Sequence, residues 1–469
     1  MTYPPTAGPT FSPAGDSFDA SDIRSLLPWE LAERREAGYD TVGLDDAIAS
    51  AVSRGDTEEC WRLLPELTKR PKRADWTYEE PEELSQILAD GRGEPSPGEP
   101  LDSVVLADRL WAAWAGRAAG CMLGKPVEGW TREQLRSYLA LAGAYPVTDY
   151  IPAMDPMPSG GYLFWPCWAT TCRGRVTEVT RDDDIDYTII GLIVLETYGR
   201  TFHAEDVGAV WVTNLPYLET FTAERVAYRN LVDGLRPPET ATHLNPYREW
   251  IGAQIRADMW GYVNPGRPAA AAEMAYRDAT LSHRANGVYG SMWVAALLAA
   301  CFVSPSMRVA MDHSLACIPK QSRLAEALGV VLAQFDGGAT WEEVRDQLEA
   351  RFASHSWIHA LNNAAVVAAA LLWGEGDYTR TVGLAVQGAW DTDCNGATAG
   401  SAFGAMHGRG GLPDRWVAPL NNLVRSAVKG FDRVTFDELA ARTAAQCVGC
   451  TNGQAQPAEV SPQRQEGRA

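Results

Sequence analysis

The sequence predicts an all-α fold, and three observations carry that prediction. Apolar residues recur at helical spacing in one stretch after another, while period-2 strand patterns bounded by tight turns are scarce. The longest apolar runs, 294–303 and 364–373, are too short to span a membrane and read as buried helices. Hydrophobic residues make up 46% of the 469, enough for a substantial core. The short aromatic run 161–165 reads as loop.

Taken in order, residues 1–20 are rich in Pro, Gly, Ser and Thr without periodicity and predict a disordered start. From Ser21 to about Asp90 the Leu/Ala/Glu/Arg pattern is helical, with Ser21 placed to cap it. Residues 91–100, GRGEPSPGEP, read as a linker, so 21–100 form an N-terminal helical extension with its linker. The larger unit, 101–447, carries the strongest helical patterns, at 104–124, 184–199, 339–353 and 357–374. Residues 448–469 read as a disordered tail.

Composition narrows the function. With 41 basic against 60 acidic residues the net charge is -19, a field that repels phosphate backbones and excludes a broad nucleic-acid interface. A small phosphorylated ligand remains compatible where bound cations invert the local field. No basic start followed by an apolar stretch marks a secretory signal, and nine scattered cysteines fit a reducing cytoplasm. Cys447 and Cys450 have C-x-x-C spacing, but one such pair reads as free thiols sooner than as zinc ligands.

The densest chemistry is Asp182, Asp183, Asp184 and Asp186, which run straight into an apolar helix. A helix N-terminus tolerates one or two acids through its free N–H groups and dipole. Four beside a helix apolar on nearly every face repel one another unless a cation neutralises them, and oxygen ligands in that number suit Mg²⁺, Ca²⁺ or Mn²⁺. A second cluster, Asp391 and Asp393, precedes a helix with Gly396, Gly400 and Gly404 on successive turns. That bare face lets another helix approach closely, and the expected packing brings Asp391 and Asp393 against Asp182–Asp184 as one site for two cations.

Four blocks in this order resemble the ADP-ribosylglycohydrolase family: Gly120 through Glu128, Asp182–Asp183–Asp184, Asn286–Gly287–Val288–Tyr289, and Ala389 through Cys394. The resemblance covers about Leu101 to Gly410 and implies an orthogonal α-helical bundle with two Mg²⁺ (or Mn²⁺) ions. It further implies a hydrolase cleaving an N- or O-glycosidic bond to ADP-ribose or a related ribosyl group, free or protein-linked. By that resemblance Asp183, Asp184, Asp391 and Asp393 are metal ligands, with Asp182 where the family has threonine. Asp391 or Asp183 helps activate water and Glu128 stands over the metals. Asn286, Gly287 and Tyr289 line the ligand pocket. Trp390, beside the last block, could stack a base, with core packing as its bland reading. The chain departs from the pattern at Cys121, Ile185 and Cys394, which puts the second ion in question and nominates Asp182 or Asp186 to help hold it.

Two other readings compete. A member that binds ADP-ribose or a nucleotide without turnover accommodates the cysteines. A class I terpene synthase would use Asp182–Asp183–x–x–Asp186, but Asn422–x–x–x–Ser426 lacks the acid its second motif needs. His283 and Arg284 read as packing or surface residues sooner than phosphate contacts. His359, Asn362 and Asn363 share a helical face that could border the pocket. Trp293 reads as core.

Overall fold

The helical expectation holds. The structure, a computed structural model, describes residues 22–89, 101–159 and 161–447. It is 63% helical, and among the described residues there are isolated bridges such as Val179 with Val424 but no strand. The predicted disordered ends, the 91–100 linker, Ser21 and Cys450 lie outside the described residues; the cap of the first helix is Asp22, whose carboxylate accepts from Arg24 N at 2.9 Å. No helix among the described residues is long and apolar enough to cross a membrane.

Three N-terminal helices, α1 (Ile23–Glu36), α2 (Asp45–Ser53) and α3 (Thr57–Thr68), close over a small core of their own built from Leu27, Ile48, Leu63 and Leu67. The helices that matter for the site follow: α4 (Ser103–Gly124), α5 (Asp183–Tyr198), α6 (Ala285–Cys301), α7 (Ala360–Trp373) and α8 (Thr392–His407). Asp102 caps α4, accepting from Val104 N at 2.8 Å, and Asp182 caps α5, accepting from Asp184 N at 2.9 Å. Helices α5 and α8 stop at Gly199 and Gly408, whose φ of 70° and 68° an L side chain rarely adopts.

The tightest packing in the molecule is α4 against α8, antiparallel and glycine to glycine. Gly120 faces Gly396, Gly116 faces Gly400, Gly124 faces Thr392 and Gly404 faces Ala112. A Cβ on any of these glycines would lie under 3.0 Å from the opposite carbonyl, so only glycine permits this separation. The bare face of Gly396, Gly400 and Gly404 thus meets a second bare face, on Gly116, Gly120 and Gly124.

The N-terminal unit is fastened to the bundle by charge and by aromatic rings. Trp29 packs edge-on to Trp250 at 5.2 Å between centroids, and Arg248 Nη1 donates to Glu30 at 2.6 Å. Arg323 lies between Glu80 and Glu249, at 2.8 and 2.7 Å, and also donates to the Glu36 carbonyl at 3.1 Å. Burial first, and then the Glu249 charge, push the Glu36 carboxyl up to about 7.

Two outcomes follow. Gly400→Val should destabilise the chain by about 1–3 kcal/mol, the range for overpacking. Gly329→Ala, a helical position with open space around it, should instead stabilise it by up to about 1 kcal/mol; urea unfolding of both variants checks the contrast. Glu36 binds its proton more tightly folded than unfolded, so its contribution is full below about pH 4.5 and is lost as pH rises through about 7. Thermal melts between pH 4 and 8 should fall less steeply for Glu36→Gln than for the parent chain.

Candidate metal centre

The glycine contact decides what meets at the end of α4. Because Gly124 admits no side chain, the last turn of α4 presses on the first turn of α8, and Thr392 Oγ1 donates to the Gly124 carbonyl at 2.8 Å. The chain leaving α4 then carries Lys125 and Glu128 directly onto the acids that open α8 and α5. Three overlapping groups of ligand atoms result, each within 4.8 Å: Cys121, Asp182 and Asp184; Asp184, Asp393 and Cys394; and Glu128, Asp391 and Asp393. The predicted union of the two acid clusters is therefore what the structure contains, but the helix brought close by the glycines is α4 and not α5.

Each acid is held by specific neighbours. Buried Arg117, on α4, ties Asp184 in place, donating to its carbonyl at 2.7 Å and to Oδ1 at 3.1 Å. The same guanidinium pairs with Asp258 at 2.9 Å and donates to the Ile255 carbonyl at 2.7 Å. Asp182 gives Oδ1 to the helix cap and Oδ2 to Lys125 Nζ. Asp393 Oδ1 accepts from Cys394 N at 3.0 Å. Asp391 follows Ala389 and Trp390, both left-handed at φ 61° and 65°, a conformation that costs about 1–3 kcal/mol per non-glycine residue. The kink is over-determined: Gly129 N donates to the Trp390 carbonyl at 3.0 Å, Arg345 Nε to Gly388 O at 2.8 Å, and Asp391 N to Asn363 Oδ1 at 3.2 Å.

Electrostatically the cluster is overloaded with negative charge. Burial, followed by the Asp393 charge, drives Glu128 and Asp391 well above the carboxylate range. Burial raises Asp184 to about 8 despite Arg117. Asp183, half-buried, is raised by burial and by Asp393, with Arg181 and Lys125 opposing. Asp391 Oδ1 is buried and accepts no hydrogen bond. A divalent cation with oxygen ligands answers both conditions, so the residues present fit one.

Several expectations need correcting or completing. Asp186 does not share the site: Arg181 Nε donates to it at 2.8 Å, Ser426 Oγ at 2.6 Å and Ala427 N at 3.1 Å. This removes it as a helper ligand and breaks the Asp182–Asp183–x–x–Asp186 arrangement a terpene synthase needs. Asp183 stands outside the three ligand groups. Asn286 and Tyr289 are engaged elsewhere: the Asn286 amide donates to Glu80 at 2.7 Å and Glu249 at 2.9 Å, and Tyr289 Oη donates to the Pro81 carbonyl. Gly287 packs on the Arg248 and Glu249 backbone. Trp390 has one face covered by the Arg345 guanidinium at 4.1 Å. His359 caps α7, accepting from Leu361 N at 3.2 Å, and turns its other nitrogen to Glu36 at 3.7 Å. Arg117, Lys125 and Asp258 were missed; an arginine flanked by Ala and Gly at 115–120 was the available signal, since a buried guanidinium requires acids.

A sequence profile described as ADP-ribosylglycohydrolase matches residues 102–452. The chain belongs to the ADP-ribosylglycohydrolase family. The matched span contains every residue of the three ligand groups, while the α1–α3 unit precedes it. Among solved structures, one described as "ADP-ribosylglycohydrolase-related protein complex" is similar at 21% identity, covering 73% of this chain and 97% of that one, with a TM-score of 0.45. No curated protein matches.

Asn363 Oδ1 also accepts from Asn395 Nδ2 at 2.8 Å, so one buried oxygen holds both Asp391 and Asn395. Asn363→Leu leaves two buried donors unpaired and should cost about 2–6 kcal/mol at 1–3 per donor, read as a fall in the urea midpoint.

Proposed function

We propose that this ADP-ribosylglycohydrolase-family chain is a divalent-cation-dependent glycohydrolase that cleaves an N- or O-glycosidic bond to ADP-ribose or a related ribosyl group, protein-linked or free. The observation that carries the reading is the convergence of Glu128, Asp184, Asp391 and Asp393 at one place, with a buried Asp391 oxygen that accepts no hydrogen bond. Asp184, Asp391 and Asp393 would hold Mg²⁺ or Mn²⁺, and Asp182 would act through the α5 cap and Lys125. When bound, the cation supplies Lewis-acid orientation of ribose hydroxyls and a lowered pKa for a bound water.

The chain's own residues do the rest. Cleavage at an anomeric carbon passes through an oxocarbenium-like transition state, which nearby carboxylates stabilise. Asp183, at the edge of the cluster, is suited to take a proton from the attacking water. Glu128, whose affinity for a proton is raised by burial and then by the Asp393 charge, is suited to hydrogen-bond the substrate or to cover it. Arg117 holds the Asp184 carboxylate directly, and Asn363 holds the backbone from which Asp391 projects.

Thiols at two ligand positions, Cys121 and Cys394, favour a second reading in which ADP-ribose is bound without turnover. One experiment separates them. Metal-stripped protein should neither bind ADP-ribose nor release it from an ADP-ribosylated arginine or serine peptide. Added Mn²⁺ should restore both, and Asp391→Asn should lower the rate by at least about 10–100-fold, the scale set by losing even an outer partner. Binding restored without release supports the second reading; activity unchanged in Asp391→Asn refutes the assignment.

A further inference from the structure

The ligand groups mark two candidate cation positions, one beside Cys121, Asp182 and Asp184 and the other beside Glu128, Asp391 and Asp393, with the group Asp184, Asp393 and Cys394 linking them. The two are not equivalent. At the second, Asp391 Oδ1 has no hydrogen-bond partner. At the first, both oxygens of Asp182 are already committed, Oδ1 to the Asp184 N–H at 2.9 Å and Oδ2 to the Lys125 ammonium.

Lys125 is not there by chance rotation of a surface side chain. It is the first residue beyond Gly124, whose position is fixed by the backbone of Thr392, and the next residue is Pro126, which restricts the exit. Its side chain is only 15% exposed. Burial disfavours the ammonium, but the acidic groups facing it, Asp182 in direct contact and Asp393 nearby, favour it and raise its affinity for a proton. A buried positive charge with several acids around it is what a cation site requires.

Resting on the cation-dependent reading above, we propose that the Lys125 ammonium is the resident cation of the Asp182 side, so that the site takes one divalent ion, at Asp184, Asp391, Asp393 and Glu128. The chemistry of position 121 agrees. A hard divalent ion there would need another oxygen, and a buried thiol is a poor ligand for it. An ammonium needs acceptors for three N–H donors and no fixed coordination geometry, so Cys121 can stand where a carboxylate is otherwise expected.

The test counts ions instead of turnover. Mn²⁺ titration of the full chain by calorimetry, with free Mn²⁺ followed by electron paramagnetic resonance, should give one site per chain. In Lys125→Met combined with Cys121→Asp, which removes the ammonium and returns an oxygen ligand, it should give two. Two ions in the parent chain would overturn the role of Lys125 and leave the metal-dependent reading standing. No ion in the parent chain would overturn both. One ion in a folded double variant, with a cooperative melt, would also overturn the role of Lys125. Should that variant not fold, anomalous scattering from Mn²⁺ in crystals of the parent chain decides. A single peak beside Asp391 and Asp393 with Lys125 still on Asp182 is expected; a peak between Asp182 and Asp184 with Lys125 displaced would overturn it.

Discussion

The contact on which the rest depends is the backbone-to-backbone approach of α4 and α8. Two helices with side chains on their facing surfaces stand 8–10 Å apart, and their ends cannot share a small polar site. Glycines on both faces remove that limit. The C-terminal turn of one helix and the N-terminal turn of the other then lie in register, and the chain leaving α4 crosses directly over the acids that begin α8. The same register leaves no room for a side chain at Gly124, so Lys125 and Glu128 inherit a fixed departure point.

A close approach of this kind would concentrate repulsion without a way to answer it. The structure answers it in layers. Arg117 sits beneath the acids and divides its charge between Asp184 and Asp258. Lys125 lies at the side, on Asp182. What remains is the pair Glu128 and Asp391, both raised by burial and then by the Asp393 charge, which is a site that favours either protons or a cation. Rigidity comes from a separate source, the left-handed pair Ala389–Trp390, held by Gly129, Arg345 and Asn363.

Much of this was legible in the residues. Carboxylates running into an apolar helix are hard to explain as capping, and glycines at i, i+4 and i+8 announce close packing. The partner surface carries the same spacing, at Gly116, Gly120 and Gly124, but which helix meets which was not legible, because pairing across hundreds of residues leaves no local trace. Asp186 was misplaced for a geometric reason. Its carboxylate turns to Arg181 and to Ser426 and Ala427, the latter two some 240 residues away, where no local spacing reaches. The neighbours of Asn286 and Tyr289 come from residues 80 and 81, more than 200 positions away, and no spacing rule reaches that far.

That last arrangement changes how the chain should be divided. By composition, residues 91–100 look like the place to cut. Yet Arg323, buried in the larger part, draws two of its acceptors from Glu80 and Glu36, and Asn286 draws one of its own from Glu80. A fragment beginning at Leu101 would leave that guanidinium and that amide with Glu249 but without the Glu80 carboxylate they share in the intact protein. Separability along the polypeptide and separability in free energy are different properties here, and the part matched to the family draws buried charge partners from the segment that precedes it.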